Sequence, residues 1–169
     1  MPQTALSFPP APLPDTLQFM QLLWGLAHAL DRTSKHMADT IGVTGPQRLV
    51  LRVVGLMPGL SAGDLAAILH VHPSTLTGVL QRLAAHRLLT RTRHAGDRRR
   101  AVLHLTARGA QINATLKGTV EAAVTRALDE LSPHDRAACR RVIDRVVSYL
   151  DPPPAIRPRR RVTREPGSR

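Results

Sequence analysis

Two stretches hold side chains suited to gripping a polyanion. In "RTRHAGDRRRAVLHLT", residues 91–106, Arg91, Arg93, Arg98, Arg99 and Arg100 surround a single acid, Asp97. A guanidinium stays charged at physiological pH and presents a planar fork of donors that matches phosphate oxygens. Upstream, in "HPSTLTGVLQRLAAH", residues 72–86, polar and apolar residues are segregated at helical spacing. On a helix from about Pro73 to His86, Leu76, Val79, Leu80 and Leu83 take one side, while Ser74, Thr75, Thr77, Gly78, Gln81 and Arg82 take the other or its N-terminal edge. Hydroxyls, an amide and an arginine hydrogen-bond base edges and phosphates, and a glycine among them lets a backbone come close. Taken alone, the helix also reads as an ordinary solvated face with Ser and Thr near its start for capping.

The elements around these residues decide how they are presented. "SAGDLAAILH" predicts a short helix capped by Ser61, with Asp64 three residues on and Leu65, Ile68 and Leu69 on one face. The short link "HVH" joins it to the helix above, so the pair forms a helix-turn-helix whose second helix enters a major groove. "LLTRTR" and "RAVLHL" alternate with period two on either side of "HAGD", which predicts a hairpin. A helix-turn-helix followed by a basic hairpin is a winged helix. Its wing arginines neutralise phosphates, and its tip can reach a minor groove. Before these elements, "TGPQRLVLRVVG" predicts a helix with Thr44 and Gln47 at capping-box spacing, Pro46 in the first turn and Gly55 as a stop.

Composition agrees with a nucleic-acid partner. The 169 residues carry a formal charge of +12, which draws the chain to nucleic acid or an anionic membrane surface. No run of eighteen apolar residues occurs, and "MPQTALSFPPAPLP" lacks the basic and apolar regions of a secretory signal, so no membrane partner and a cytoplasmic location are expected. Aromatic residues make up 2%, too few to stack single-stranded bases, which favours double-stranded DNA. Three regions follow: a proline-rich arm over 1–14, a folded domain over 15–150, and a basic tail over 151–169. With six arginines against Asp151 and Glu165, the tail reads either as a solubilising segment or as a DNA-backbone contact.

Long helices flank the winged helix. From Asp15 to Ile41, Met20, Leu23, Ala27, Leu30, Ser34, Met37 and Ile41 form one stripe. A second helix is predicted to run unbroken from Thr106 to Leu131, with Ile112, Leu116, Val120, Val124, Leu128 and Leu131 on its stripe. Ser132, Pro133 and Asp135 then start a last helix on which Val142, Ile143, Val146, Val147 and Leu150 face inward.

From about Leu30 to Leu150 the sequence resembles the MarR family of winged-helix transcription regulators, on "TGPQRLVLRVVG", "GLSAGDLAAILHVHPSTLTGVLQRL", "DRRRAVLHLTARG" and "LSPHDRAACRRVIDRVVSYL". The wing carries the most specific match: Asp97, then Arg99, then a strand ending at Leu105 and Thr106, with Gly109 three residues further. The resemblance implies a mainly α fold, with a winged helix-turn-helix DNA-binding lobe, a two-stranded β wing, and long N- and C-terminal helices forming a dimerisation lobe. It implies a homodimer that reads an inverted-repeat operator, most often as a ligand-responsive repressor. It assigns Asp97 to pair with Arg99 within the wing and Arg99 to the minor groove; Asp97 otherwise serves to relieve repulsion among arginines. It suggests a small aromatic or phenolic effector, with Trp24, His28, Arg32 and His36 as a candidate pocket. Three positions depart from the family pattern, one of them Gly78, where an arginine is often found. His72 stands where an acid or small polar residue is usual, and Arg87 where Gly often follows the helix, which calls for a left-handed residue or a different exit.

No nucleophile motif and no zincin-like His/Glu pair orders the eight histidines, so no catalytic residues, metal site or cofactor are expected and the chain is not read as an enzyme. Cys139, the single cysteine, is expected to be a buried packing thiol. The competing function is a basic architectural protein that binds DNA with little sequence preference.

Overall fold

The computed structural model describes residues 13–93, 96 and 101–150. Leu13 and Pro14 lead into α1 (Asp15–Ile41), followed by α2 (Gly45–Leu56), α3 (Ala62–Leu69), α4 (Pro73–Ala85), β1 (Leu89–Arg93), β2 (Ala101–Leu105), α5 (Ala107–Ala114), α6 (Val120–Asp129) and α7 (Pro133–Leu150). The chain divides into two compact units, residues 1–125 and 126–169.

In the first unit, side chains that start helices do so as their spacing predicts. The Thr44 backbone N–H donates to Gln47 Oε1 at 2.9 Å, opening α2. At α3 the Asp64 N–H donates to Ser61 Oγ at 3.2 Å, and Asp64 Oδ2 accepts the Ser61 N–H at 3.1 Å. Such reciprocal caps satisfy donors that the first helical turn leaves free. α2 continues through the expected stop at Gly55 and ends at Leu56.

The core lies among α2, α3, α4 and the base of the wing. Val50, Leu51 and Val54 of α2, Leu65 of α3, and Leu76, Leu80 and Leu83 of α4 close on Leu88, Leu89 and Leu103. At about 2 kcal/mol for each leucine fully removed from water, this cluster dominates the stability of the unit. β1 and β2 pair antiparallel with Leu89 opposite Leu105 and Arg93 opposite Ala101, forming the expected two-stranded wing. The segment before α3 holds the far side of β2: Leu103 N–H donates to Leu60 O at 2.8 Å and Gly59 N–H to Leu103 O at 3.1 Å.

α1 spans the residues its stripe predicts, yet only Met37 on it is buried; Met20 and Leu30 stay 39% and 40% exposed. Leu17, Leu22, Trp24 and Leu26 are also exposed, so much of its apolar surface has no cover among the described residues.

The unbroken helix expected from Thr106 to Leu131 is two helices. α5 stops at Ala114, and the chain turns through Thr115–Thr119, with Gly118 at φ +76°, before α6 begins at Val120. Arg48 of α2 supplies the physical reason. Its guanidinium is 1% exposed and donates to the carbonyls of Ile112, Asn113 and Thr115, the terminal acceptors of α5, and to Glu121 of α6. A buried cation needs this many oxygens, and the broken helix provides them where a continuous helix would have used those carbonyls internally.

In the second unit, Ser132 caps α7 as expected: the Asp135 N–H donates to Ser132 Oγ at 3.2 Å. The inward face predicted for α7 is not formed within the described chain, because no α7 side chain is buried. Val142, Val147 and Leu150 are 45%, 51% and 76% exposed, while Ile143 and Val146 are half-buried. The expectation of a buried thiol fails for the same reason, and Cys139 is exposed.

Candidate nucleic-acid interface

α4 is positioned from both ends by residues in the left-handed backbone region. α3 ends with His70 at φ 50°; His70 N–H reaches Ala67 O at 3.3 Å and Val71 N–H reaches Ala66 O at 3.1 Å. This paired closure turns the chain abruptly into α4 without the usual glycine. α4 ends in the same way on Arg87 at φ 55°, with Arg87 N–H on Ala84 O at 2.9 Å and Leu88 N–H on Leu83 O at 2.9 Å. The left-handed exit anticipated at Arg87 is therefore formed; the one at His70 carried no sequence signal.

Behind that exit, the start of α5 locks the helix in place. Thr106 Oγ1 donates to Arg87 O at 2.7 Å, and Thr106 N–H donates to Leu88 O at 3.2 Å. A Cβ on Gly109 would sit 2.0 Å from Leu88 O, so only glycine permits this approach.

Held in this way, α4 buries Leu76, Leu80 and Leu83 and turns its polar residues outward. Ser74, Thr75, Thr77, Gln81 and Arg82 are all exposed, and Gly78 is half-buried. Thr77 Oγ1 donates back to Pro73 O at 2.8 Å, and Arg82 Nε donates to Gly78 O at 3.2 Å, which lays the arginine along the helix. A Cβ on Gly78 would meet only the Arg82 guanidinium, at 3.7 Å, so packing within the protein does not demand glycine there.

His72 has a role that its residue type did not suggest. It is the N-cap of α4: Ser74 N–H donates to its Nδ1 at 3.3 Å, and Ser74 Oγ lies 2.7 Å from the same nitrogen.

On the wing, Arg91 and Arg93 are exposed on β1, opposite Leu103 and Ala101. Asp97, Arg98, Arg99 and Arg100, expected at the wing tip, lie outside the described residues, as do the arm over 1–12 and the tail over 151–169.

The candidate effector residues Trp24, His28, Arg32 and His36 are exposed along α1, successive positions four residues apart. From first to last they turn about 120° around the helix axis. Between them, Asp31 and Lys35 form a surface pair at 2.7 Å, and the hydrogen bond to Asp31 holds the Lys35 ammonium above its ordinary pKa. Among the described residues, no three His, Cys, Asp or Glu side chains are grouped to hold a metal ion, and no helix is long and apolar enough to cross a membrane.

Comparison with known proteins joins this geometry to a family. Residues 41–100 match the model of the MarR family. An HTH-type transcriptional repressor of Mycobacterium tuberculosis is 26% identical over 136 residues, covering 80% of this chain and 98% of the relative. The PcaV transcriptional regulator from Streptomyces coelicolor, solved in complex with its natural ligand, is 25% identical, superposes with a TM-score of 0.65, and covers 84% of this chain and 100% of that one. The MepR–DNA complex of S. aureus, at 19% identity, shares the fold with a TM-score of 0.64 over 78% of this chain and 97% of that one. The chain has the winged-helix fold of MarR-type structures, and over residues 41–100 it is similar to that family of DNA-binding transcription regulators.

Proposed function

We propose that this chain acts as a homodimeric, ligand-responsive repressor that reads an inverted-repeat operator in double-stranded DNA. The observation that carries the reading is α4: a helix buried on Leu76, Leu80 and Leu83 and exposed on Ser74, Thr75, Thr77, Gln81 and Arg82, beside a strand bearing Arg91 and Arg93. Side chains with both donors and acceptors read base edges, and the wing arginines neutralise flanking phosphates. The resemblance to MarR regulators assigns Asp97 to pair with Arg99 and Arg99 to the minor groove, with Arg98 and Arg100 among the arginines that neutralise phosphates.

The uncovered apolar residues of α1, with Leu17, Leu22, Trp24 and Leu26 exposed, support association with a second copy, which sets two recognition helices about one helical turn apart on DNA. The mycobacterial relative is named a repressor, and PcaV was solved with its natural ligand. A small aromatic or phenolic acid is the effector class, bound near Trp24, His28, Arg32 and His36, where an aromatic face and cationic groups suit such a molecule. Ligand binding that favours a different spacing of the recognition helices releases the operator.

Selection of preferred sites from random duplex DNA tests the reading. A single inverted repeat, bound roughly a thousandfold more tightly than scrambled sequence at fixed salt, is the expected result. Equal affinity for all duplexes overturns it in favour of a basic architectural binder.

A further inference from the structure

We propose that His72 is a proton-sensitive positioning residue for the recognition helix, acting through its Nδ1 on the backbone and hydroxyl of Ser74. The inference rests on the reading of α4 as the DNA-reading helix and adds to it a dependence on the protonation of one side chain.

The geometry is specific. Ser74 N–H donates to His72 Nδ1 at 3.3 Å, and the hydroxyl of Ser74 lies 2.7 Å from that nitrogen. An N-cap must accept a hydrogen bond, and an imidazole nitrogen does so only through an unprotonated lone pair. Neutral His72 therefore closes the first turn of α4 and fixes the rotamer of Ser74, one of the groups turned toward DNA. When the ring gains a proton, Nδ1 becomes a donor and the cap is lost. The new positive charge also sits at the positive end of the helix dipole. Asp, Ser, Thr or Asn at this position would cap without responding between pH 5 and 8, the range in which histidine ordinarily changes charge.

Surrounding charges leave the cap to His72. The turn carries one other titratable group, His70, which closes α3 through its backbone. On α3 the charged residue is Asp64, engaged with Ser61, and on α4 it is Arg82, bonded to Gly78 O. α2 and β1 also pack on α4. Of these, α2 carries Arg48 and Arg52, both within hydrogen-bonding distance of α5 acceptors, and β1 carries Arg91 and Arg93, exposed on the strand.

Full-length protein, His72→Asn and His72→Ala provide the test, with affinity for the selected duplex, or for a fixed random-sequence duplex if no site emerges, measured at pH 8 and pH 5.5 at constant salt. Because Asn caps without titrating, wild type and His72→Asn should agree within about twofold at pH 8. At pH 5.5 wild type should be about fivefold weaker than His72→Asn, the effect expected for loss of one cap, and His72→Ala should be weaker than His72→Asn at both values. Comparing variants cancels any contribution of the other seven histidines, which all three proteins share. Parallel profiles overturn the proposal while leaving the DNA-reading function intact. Relative gain by wild type at low pH also overturns it, since the ring would then be acting as a cationic phosphate contact.

Absence of DNA binding at any pH defeats the functional reading, and a second measurement then decides the cap. In DNA-free wild type the Ser74 amide resonance should move with histidine protonation, and in His72→Asn it should not. A resonance that stays fixed in both proteins overturns the inference.

Discussion

Arg48 and Glu121 meet across 73 residues of sequence: the arginine Nε donates to Glu121 Oε1 at 2.6 Å, and Nη2 lies 2.5 Å from the same carboxylate oxygen. Arg48 is buried and Glu121 partly so, and the same guanidinium satisfies the carbonyls that α5 leaves behind. Arg48→Met should therefore destabilise the protein by about 3 kcal/mol, because it removes the buried cation shared by Glu121 and the α5 carbonyls, and the Arg52 contacts to Asn113 O and Glu121 Oε1, at 3.4 and 3.7 Å, are longer. Thermal unfolding of the variant checks this; a change below 1 kcal/mol would mean that water replaces the guanidinium at no cost.

The Glu121 carboxyl makes this stabilisation depend on pH. Burial pushes its pKa up, but the Arg48 hydrogen bond, its own backbone N–H, the Arg48 charge and the Thr119 hydroxyl outweigh burial and hold it below the ordinary 4.5. A group whose pKa is depressed by folding stabilises the native state above its unfolded value, and that contribution is lost as pH falls through the folded value. Wild type should thus exceed Glu121→Gln by about 2 kcal/mol near neutrality, and the gap should shrink as pH falls below the ordinary 4.5 and through the lowered folded value. Urea titrations of both proteins across this range measure the gap.

Arg87 adopts φ 55° with a side chain that disfavours it. Arg87→Gly should raise stability by about 1 kcal/mol, since the bonds that close the helix use only backbone groups there. A lower melting temperature in the glycine variant would show that the guanidinium itself contributes to the fold.

Gly78 separates packing from DNA contact. Its added Cβ would meet only Arg82, at 3.7 Å, so Gly78→Ala should stabilise the free protein by about 0.5–1 kcal/mol through helix propensity. Duplex affinity should nevertheless fall about tenfold as the methyl holds the groove away from the backbone. Unchanged affinity would remove Gly78 from the contact surface.

Gln81 and Arg91 should respond differently to truncation. Gln81→Ala should cost about 1–3 kcal/mol on the preferred site and relax one base position. Arg91→Ala should weaken all duplexes alike and reduce the salt slope by about one. Binding isotherms at several salt concentrations on two sequences distinguish these outcomes.

How much of this was legible in the sequence varied with the range of the interaction. Capping pairs such as Ser61 with Asp64 and Ser132 with Asp135 are local, so spacing alone revealed α3 and α7. The outward set on α4 was legible because Leu76, Leu80 and Leu83 bury the opposite face. The break between α5 and α6 was not, because apolar residues keep helical spacing from Ile112 to Leu131 while the cause lies in Arg48, some 64 residues away. An arginine in an amphipathic helix reads as a solvated charge until its acceptors are found. His72 was visible as a departure in residue type, but its role depended on which ring nitrogen turned back to Ser74. The faces of α1 and α7 were read as apolar correctly, yet alternation cannot say whether a face is covered by its own chain.

The clamp around Arg48 also fixes the order in which the chain can mature. Its acceptors at Ile112, Asn113, Thr115 and Glu121 leave the ribosome 64–73 residues after the arginine does. While synthesis is between these points, α2 cannot bury its cationic side chain against its native acceptors, so the helix-turn-helix and wing wait for a segment that touches no DNA-reading residue. A minimal DNA-binding fragment must for the same reason extend to Glu121, because one cut after the wing would carry a cation at its centre with its acceptors removed.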